Sequence, residues 1–459
     1  HLSAAQWLEA AGEMDASTLA EHYERGGEPD AAGPYWLRAA VVALEGNDFD
    51  AAAGHAQRGL ASATTPTLEG ALLSTAAEAE RLRGDLGKAS DYSARALSLL
   101  EVGHSRWFAC IGERALVLQR LGQQSQLNVL AQSLLGVSPL PGATEMAHWA
   151  TLRVALACCR VGAFELARAC RATVGELPEL TGPLVHASRH AVDAVFALNA
   201  GDRAQYLREA EACRARHEQI GDRRAVLEQT INIGSTFVEL GRPDQAAAML
   251  AEAMREAKRL NLVHLTAGAQ HNLGLALGRL GRFDEALALE REALSGFQRH
   301  DHRLEGGARV SVALIALWAG KTELGRSEAR QALAILREAA PPLVPVALAA
   351  LAALDLASGA PDAAVAHCVE AEALMHAASG IEYGETLLVV THAQALVALG
   401  RGGEAAAVAR AGAERLQARA DLLADPELRV AFLENVPENV QLRRLCAEWA
   451  KPAISPNDV

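Results

Sequence analysis

The sequence predicts an all-α solenoid of about ten helix pairs with a helical cap at its C-terminus, and two observations carry that prediction. Glycine breaks recur along most of the chain: Gly84, Gly122, Gly162, Gly201, Gly241, Gly281, Gly320, Gly359 and Gly400 follow one another at 38, 40, 39, 40, 40, 39, 39 and 41 residues. The core must also be built from small side chains, because 50% of the 459 residues are hydrophobic while aromatics supply only 4% and alanine dominates. Alanine has the highest helix propensity and lets helix axes approach, whereas a sandwich or barrel would need more β-branched and aromatic residues.

Each period has the same internal plan. Before a glycine lies an Ala/Leu-rich segment of helical period; after it come a short polar step and a second such segment, as from Leu280 to Leu294. The unit is helix, turn, helix. Glycine fits the turn because the residue just past a helix end often takes a positive φ, which costs any residue with a Cβ.

Charge and cysteine usage exclude several functions. With 43 Lys and Arg against 56 Asp and Glu, the net charge of −13 gives little support to a phosphate-binding surface, so no nucleic-acid partner is expected. No apolar run approaches the roughly 20 residues that cross a bilayer, and the N-terminus lacks a signal peptide, which predicts a cytoplasmic location with no membrane partner. Cys110, Cys158, Cys159, Cys170, Cys213, Cys368 and Cys446 contain no CxxC pair, which suits reduced, buried thiols and predicts neither zinc nor a disulfide framework. No metal and no cofactor are expected.

The sharpest copy of the repeat, HNLGLALGRLGRFDEALALEREAL from His271 to Leu294, closely resembles the tetratricopeptide repeat (TPR). That family places Asn-Leu-Gly in its first helix, a turn glycine, an aromatic and two alanines in its second; Asn272, Leu273, Gly274, Gly281, Phe283, Ala286 and Ala293 match. The preceding copy keeps Asn232, Gly234, Gly241, Ala246 and Ala253 but has Pro243 at the aromatic position, and the copy around Gly84 keeps Ala77, Ala89 and Ala96. The resemblance implies a right-handed superhelix whose first helices line a concave wall. Gly274 and Ala286 are expected at the helix crossing, where a larger side chain would push the axes apart. The period exceeds the usual 34, so each helix should run roughly one turn longer. A HEAT or armadillo array has a similar period but lacks the Asn-Leu-Gly and turn-glycine pattern.

In chain order this gives N-terminal helices with a first repeat-like unit over 1–62, the array over 63–422, and a capping segment and tail over 423–459. The first segment, with AEHYERGGEPDAA and ALEGNDFDAAAGHAQRGL, resembles the start of the helical-repeat region in large bacterial proteins that carry a Ser/Thr kinase or cyclase domain and a signal-transducing NTPase of the STAND type. ADPELRVAFLENVPENVQLRRLCAEW, Ala424 to Trp449, is similar to the way such proteins finish. The chain opens at His1 without a methionine and has no GxxxxGK[ST] phosphate loop or kinase signature, so the resemblance implies an excised C-terminal region with the catalytic domains upstream. Ser138–Gly142 (SPLPG) and Ala340–Pro345 (APPLVP) are proline-rich connections where the array is expected to bend. The segment up to Trp449 should form a helix covering the last repeat, and the tail from Lys451 should be loose.

No motif supports catalysis. His186 and His190, at i and i+4, share a helix face but lack the glutamate of HExxH, which favours a pair of ordinary helix histidines over a metal site. The run Arg299, His300, Asp301, His302, Arg303 is expected in a polar loop between repeats. Cys158, Cys159 and Cys170 should fill core, although Arg160 beside Cys159 keeps a reactive thiol in view. For binding, the resemblance points to the groove: Asn232 and Asn272 occupy the position whose asparagine holds peptides in TPR domains, with Ser235 and His271 beside them. Asparagine both donates and accepts, so these residues either bind an extended peptide backbone or tie adjacent repeats together. Arg120, Arg160, Asn199, Glu239 and Arg279, just before the turn glycines, would form a mixed-charge line along the array. The sequence thus predicts a non-catalytic interaction and sensor module of a multidomain signalling protein, its partners a protein or peptide in the groove and kinase or NTPase domains upstream. The alternative is a free-standing scaffold or adaptor.

Overall fold

The computed structural model describes residues 1–178, 181–297, 301–378 and 383–449, and among these it contains twenty-four α-helices, one 3-10 turn and no strand. The all-α solenoid of helix pairs is therefore the observed fold. The chain divides into two compact units, His1–Val192 and Asp193–Val459.

In the first unit, α1 (Leu2–Ala10) and α2 (Ala16–Arg25) precede four pairs: α3/α4 (Pro29–Glu45, Phe49–Ala61), α5/α6 (Pro66–Arg83, Leu86–Leu99), α7/α8 (Ser105–Arg120, Gln124–Leu135) and α9/α10 (Thr144–Arg160, Phe164–Val174). The boundary falls inside α11 (Pro183–Asn199), not at either proline-rich connection. SPLPG joins α8 to α9 within the first unit. The second unit continues with α12 (Arg203–Ile220) and five pairs: α13/α14 (Arg223–Glu239, Pro243–Arg259), α15/α16 (Val263–Arg279, Phe283–Phe297), α17/α18 (His302–Trp318, Thr322–Ala339), α19/α20 (Val344–Ala357, Pro361–Ala378) and α21/α22 (Glu385–Ala398, Gly402–Leu422). APPLVP is taken up by a 3-10 turn at Pro341–Leu343 that leads directly into α19. Two further helices, α23 (Pro426–Glu434) and α24 (Pro437–Trp449), close the described chain.

All nine periodic glycines have positive φ, from 68° at Gly122 to 92° at Gly84. Gly281 shows why: its N–H donates to the Gly278 carbonyl at 3.1 Å and the next N–H, of Arg282, reaches back to Leu277 at 2.9 Å. This pair of bonds satisfies the last carbonyls of α15 and requires the left-handed conformation that glycine adopts without steric cost. Asn47 (φ 61°) supplies the same conformation between α3 and α4. Asparagine visits that region most readily after glycine.

The first helix of a pair lies between its own partner and the helices of adjacent pairs, so it is apolar nearly all round. Every residue of α19 from Val344 to Asp355 is buried. The second helices face solvent on one side and are amphipathic; α18 buries only Gly325, Ala329, Ala332 and Leu336. Helices cross closely where one carries glycine. A Cβ on Gly274 would stand 3.2 Å from the Ala286 carbonyl, as expected for these two positions, and one on Gly234 would stand 2.7 Å from Leu250 Cγ.

Turn and crossing glycines should therefore respond differently to substitution. Gly234→Val forces α13 and α14 apart and should cost about 1–3 kcal/mol, whereas Gly281→Asn, which keeps the turn conformation and meets open space, should cost less than about 1 kcal/mol. Urea titrations of the two variants followed by circular dichroism measure the difference; equal losses would contradict this assignment.

Candidate interaction groove

The C-terminal ends of the first helices gather the second unit's distinctive chemistry. Arg279 ends α15, and its guanidinium lies 4.2 Å over the Trp318 ring at the end of α17. The same guanidinium donates from Nη1 to both carboxylate oxygens of Glu438, at 2.8 and 3.0 Å. Arg279 stands in the last turn of its helix and Glu438 in the first turn of α24, so each charge also complements its own helix dipole. The pair is largely withdrawn from water, with side-chain exposures of 22% and 10%, which strengthens it beyond a surface ion pair.

Helices α23 and α24 thus do more than cover the last repeat. Leu442 is fully buried in a cluster with Val389, Leu396 and Leu416 of α21 and α22, which is the expected capping contact. On their other side the two helices reach the turns after α13 and α15. Asn435 donates from Nδ2 to the Gly241 carbonyl at 3.1 Å, and Arg242 faces Glu427 at 3.8 Å. The cap is two helices because Pro437 cannot continue α23 and instead opens α24, while Asn439 Nδ2 caps the Phe432 carbonyl at 2.8 Å. The expected loose tail from Lys451 lies outside the described residues.

Beside α24 a cavity of about 560 Å³ remains between the ends of α15, α17, α19 and α21. Trp318, Leu356, Leu387 and Val390 give it an apolar wall, and Arg279, Gln394 and Gln441 supply polar groups. A concave apolar space with a few convergent polar groups is the usual form of a ligand site.

The eight residues singled out by sequence fall in both units. Arg120 and Arg160 belong to the first unit and the other six to the second. Of the residues before the turn glycines, Arg120 donates to the Arg81 carbonyl at 3.3 Å and Glu239 accepts from Arg203 at 2.7 Å, so these two are tied into local contacts. Asn272 donates from Nδ2 to the Ile231 carbonyl of α13 at 3.2 Å, the inter-repeat tie. Asn232 and Ser235 are half-buried on α13. His271 meets Glu290 of α16 at 3.0 Å. Burial opposes charge on His271, but the neighbouring carboxylate outweighs it and holds the imidazole above its usual pKa; burial pushes Glu290 up too.

Other candidates resolve plainly. His186 and His190 stand on α11, and no group of three or more His, Cys, Asp or Glu among the described residues could hold a metal ion. Burial pushes the Cys159 thiol up to about 12, overriding Arg160, and Cys170 up to about 11; Cys158 is raised further still. Such thiols fill core and do not react as thiolates. Of the polar run after α16, Arg299 and His300 lie outside the described residues, while Asp301 caps α17 by accepting from the Leu304 N–H at 3.0 Å and His302 begins that helix. Sequence reasoning missed Glu438, Asn435 and Trp318. The only available signal was the NVPENV stretch, where a proline-opened helix carries an acidic first turn.

Two measurements follow from these contacts. Asn272→Ala should lower unfolding free energy by about 1 kcal/mol through loss of the inter-repeat bond, read in urea titrations. The raised pKa values of His271 and Glu290 mean that the folded chain holds more protons than the unfolded one. Their contribution is therefore present at low pH, falls from the ordinary glutamate range upward and is lost as pH rises through the raised folded values. Glu290→Gln should reverse the histidine's share, since desolvation alone depresses its pKa. Melting temperatures of both proteins between pH 5 and 8 test this; parallel curves would refute it.

Comparison with known proteins places this architecture. Residues 225–299 match the tetratricopeptide repeat family. No curated protein sequence matches the chain. Among solved structures, a Rap protein complexed with competence and sporulation factor is similar with a TM-score of 0.52 at 12% identity, covering 75% of this chain and 99% of that one. The Rap conjugation regulator of plasmid pLS20 with the Phr* peptide gives 0.44 at 11% identity over 77% and 100%, and a STAND protein with a tetratricopeptide repeat sensor from Pyrococcus horikoshii gives 0.42 at 14% over 72% and 52%. Residues 225–299 are thus a tetratricopeptide-repeat segment, and the same glycine-turned helix pair is repeated to either side of it.

Proposed function

We propose that this chain is a non-catalytic protein-interaction and sensor module whose second unit receives a peptide or protein segment at the ends of α15, α17, α19 and α21. One observation carries the reading: this wall already holds a helix of the chain itself by a part-buried contact of Arg279 Nη1 with both carboxylate oxygens of Glu438, with about 560 Å³ left open beside it. A surface that seats one helix through a charged anchor and an apolar wall has the chemistry to seat another. The Rap protein complexed with competence and sporulation factor, which shares the fold, is in keeping with a bound partner.

The likeness of both chain ends to bacterial kinase and STAND-type signalling proteins supports a finer proposal. The module would bias an upstream NTPase or kinase between two states, which a ligand achieves only through different affinity for them. The test is a photo-crosslinking residue at Gln394, inside the cavity, with Gln331 on the exposed side of α18 as control. In source cells, adducts of one defined protein at Gln394 and none at Gln331 are expected. Equal labelling at both, or none at either, would remove the groove reading. The mass of the natural polypeptide, measured with an antibody to this chain, tests the finer proposal: a species near 48.4 kDa would leave no upstream catalytic domain.

A further inference from the structure

We infer that α23 and α24 are a built-in competitor for the groove, and that the partner they hold off is an acidic, helix-forming segment whose carboxylate takes the place of Glu438 on Arg279. The inference rests on the groove reading above and adds both a partner chemistry and a control. Two kinds of contact hold α23 and α24, and they lie on opposite sides. Toward α21 and α22 the contact is mainly apolar and buried, centred on Leu442, with Arg429 donating to the carbonyls of Asp421 and Leu423 at the end of α22. Toward α13 and α15 it is polar, consisting of Glu438 on Arg279, Asn435 on the Gly241 carbonyl and Glu427 facing Arg242. Polar contacts of this kind exchange for equivalent contacts with an incoming ligand, whereas the apolar side has no such substitute. The polar side is the edge that opens, with the Leu442 side as its anchor.

The partner's chemistry follows from what is displaced. The seat offers a guanidinium stacked on Trp318 and, beside it, the open apolar cavity. Glu438 fills the first but leaves the second empty. A segment with a glutamate or aspartate and an apolar side chain one helical turn away would satisfy both, gaining contacts that the internal occupant lacks. Because the internal carboxylate is tethered, its effective concentration is on the order of millimolar, and it suppresses the apparent affinity of any ligand that needs Arg279.

The test uses the full chain and, as probe, a fluorescent synthetic peptide spanning residues 424–449. The peptide retains its glutamate while the chain carries Glu438→Gln, so only the internal competitor is weakened. Fluorescence anisotropy should show the peptide binding E438Q at least about tenfold more tightly than the unsubstituted chain. Replacing the peptide's own glutamate at that position with glutamine should abolish the gain. Hydrogen exchange read in the same samples should rise in α23 and α24 of E438Q and stay unchanged in α15 to α20, which shows that the variant is folded. Equal peptide affinity for both chains, or none for either, would overturn the acidic-segment assignment while leaving crosslinking at Gln394 to decide the groove itself. Tighter binding without faster exchange would overturn the competitor role. A concentration-dependent dimer of the unsubstituted chain that exchanges α23 and α24 would make a second copy the occupant and overturn the assignment as well.

Discussion

The close approach of neighbouring helices is the constraint on which the stack depends, and at several crossings a glycine provides it where the facing helix needs room for a side chain. A Cβ on Gly59 would fall 2.6 Å from Leu72, one on Gly306 2.5 Å from Leu336, and one on Gly325 2.5 Å from Leu354. A Cβ at each position would push the leucine aside, so the larger side chain opposite occupies the space directly over a bare backbone. Close crossing brings the first helices into the middle of the stack, where much of their surface is withdrawn from water, in α19 nearly all of it. Alanine then becomes the natural filler, because it adds little width and favours the helix. The small aromatic fraction and the near-total burial of α19 are consequences of the same geometry.

That geometry is also why the fold was legible in sequence and the site was not. The turn glycines repeat because each helix end needs the same left-handed residue, and Gly281 and Arg282 show the bonds that impose it. Local rules of this kind act within six residues and leave a periodic trace. Asn47 escaped the period only because asparagine replaced the glycine. Arg279 was picked out by its register before a turn, but its partner lies 159 residues away. No periodicity links two residues so distant, and the division of the chain inside α11 is equally silent in the sequence, since α11 keeps the pattern of its neighbours. Asn272 illustrates a different limit. The amide at that position can serve inter-repeat packing or ligand binding, and only the location of the Ile231 carbonyl shows that the inter-repeat bond is made.

Charge placement in the second unit follows from the helix ends. Each first helix terminates at the same edge, so its dipole presents partial negative charge there and favours a cation such as Arg279. Arg203, at the start of α12, and Arg419, late in α22, stand in the same region and engage Glu239 and Glu385. These arginines come with acidic partners because an unpaired guanidinium at such depth would be costly. Only one of these anchor pairs draws its acid from outside the repeated pairs. Glu438 is supplied by the cap, the single element whose removal leaves the array's own pairs intact.

That difference determines what a ligand can change. A molecule that bound elsewhere on the unit would leave Glu438 in place and transmit nothing to the cap. One whose carboxylate takes Nη1 of Arg279 displaces Glu438, because both oxygens of Glu438 are held by that one nitrogen. Ligand affinity and cap attachment are then linked thermodynamically, and by reciprocity anything that loosens the cap tightens the ligand by the same factor. The apolar anchor at Leu442 keeps the released helices tethered, so the competitor is always present and reattaches when the ligand leaves. An arrangement of this kind needs no strain stored in the repeats. It needs one nitrogen of one guanidinium for which two carboxylates compete.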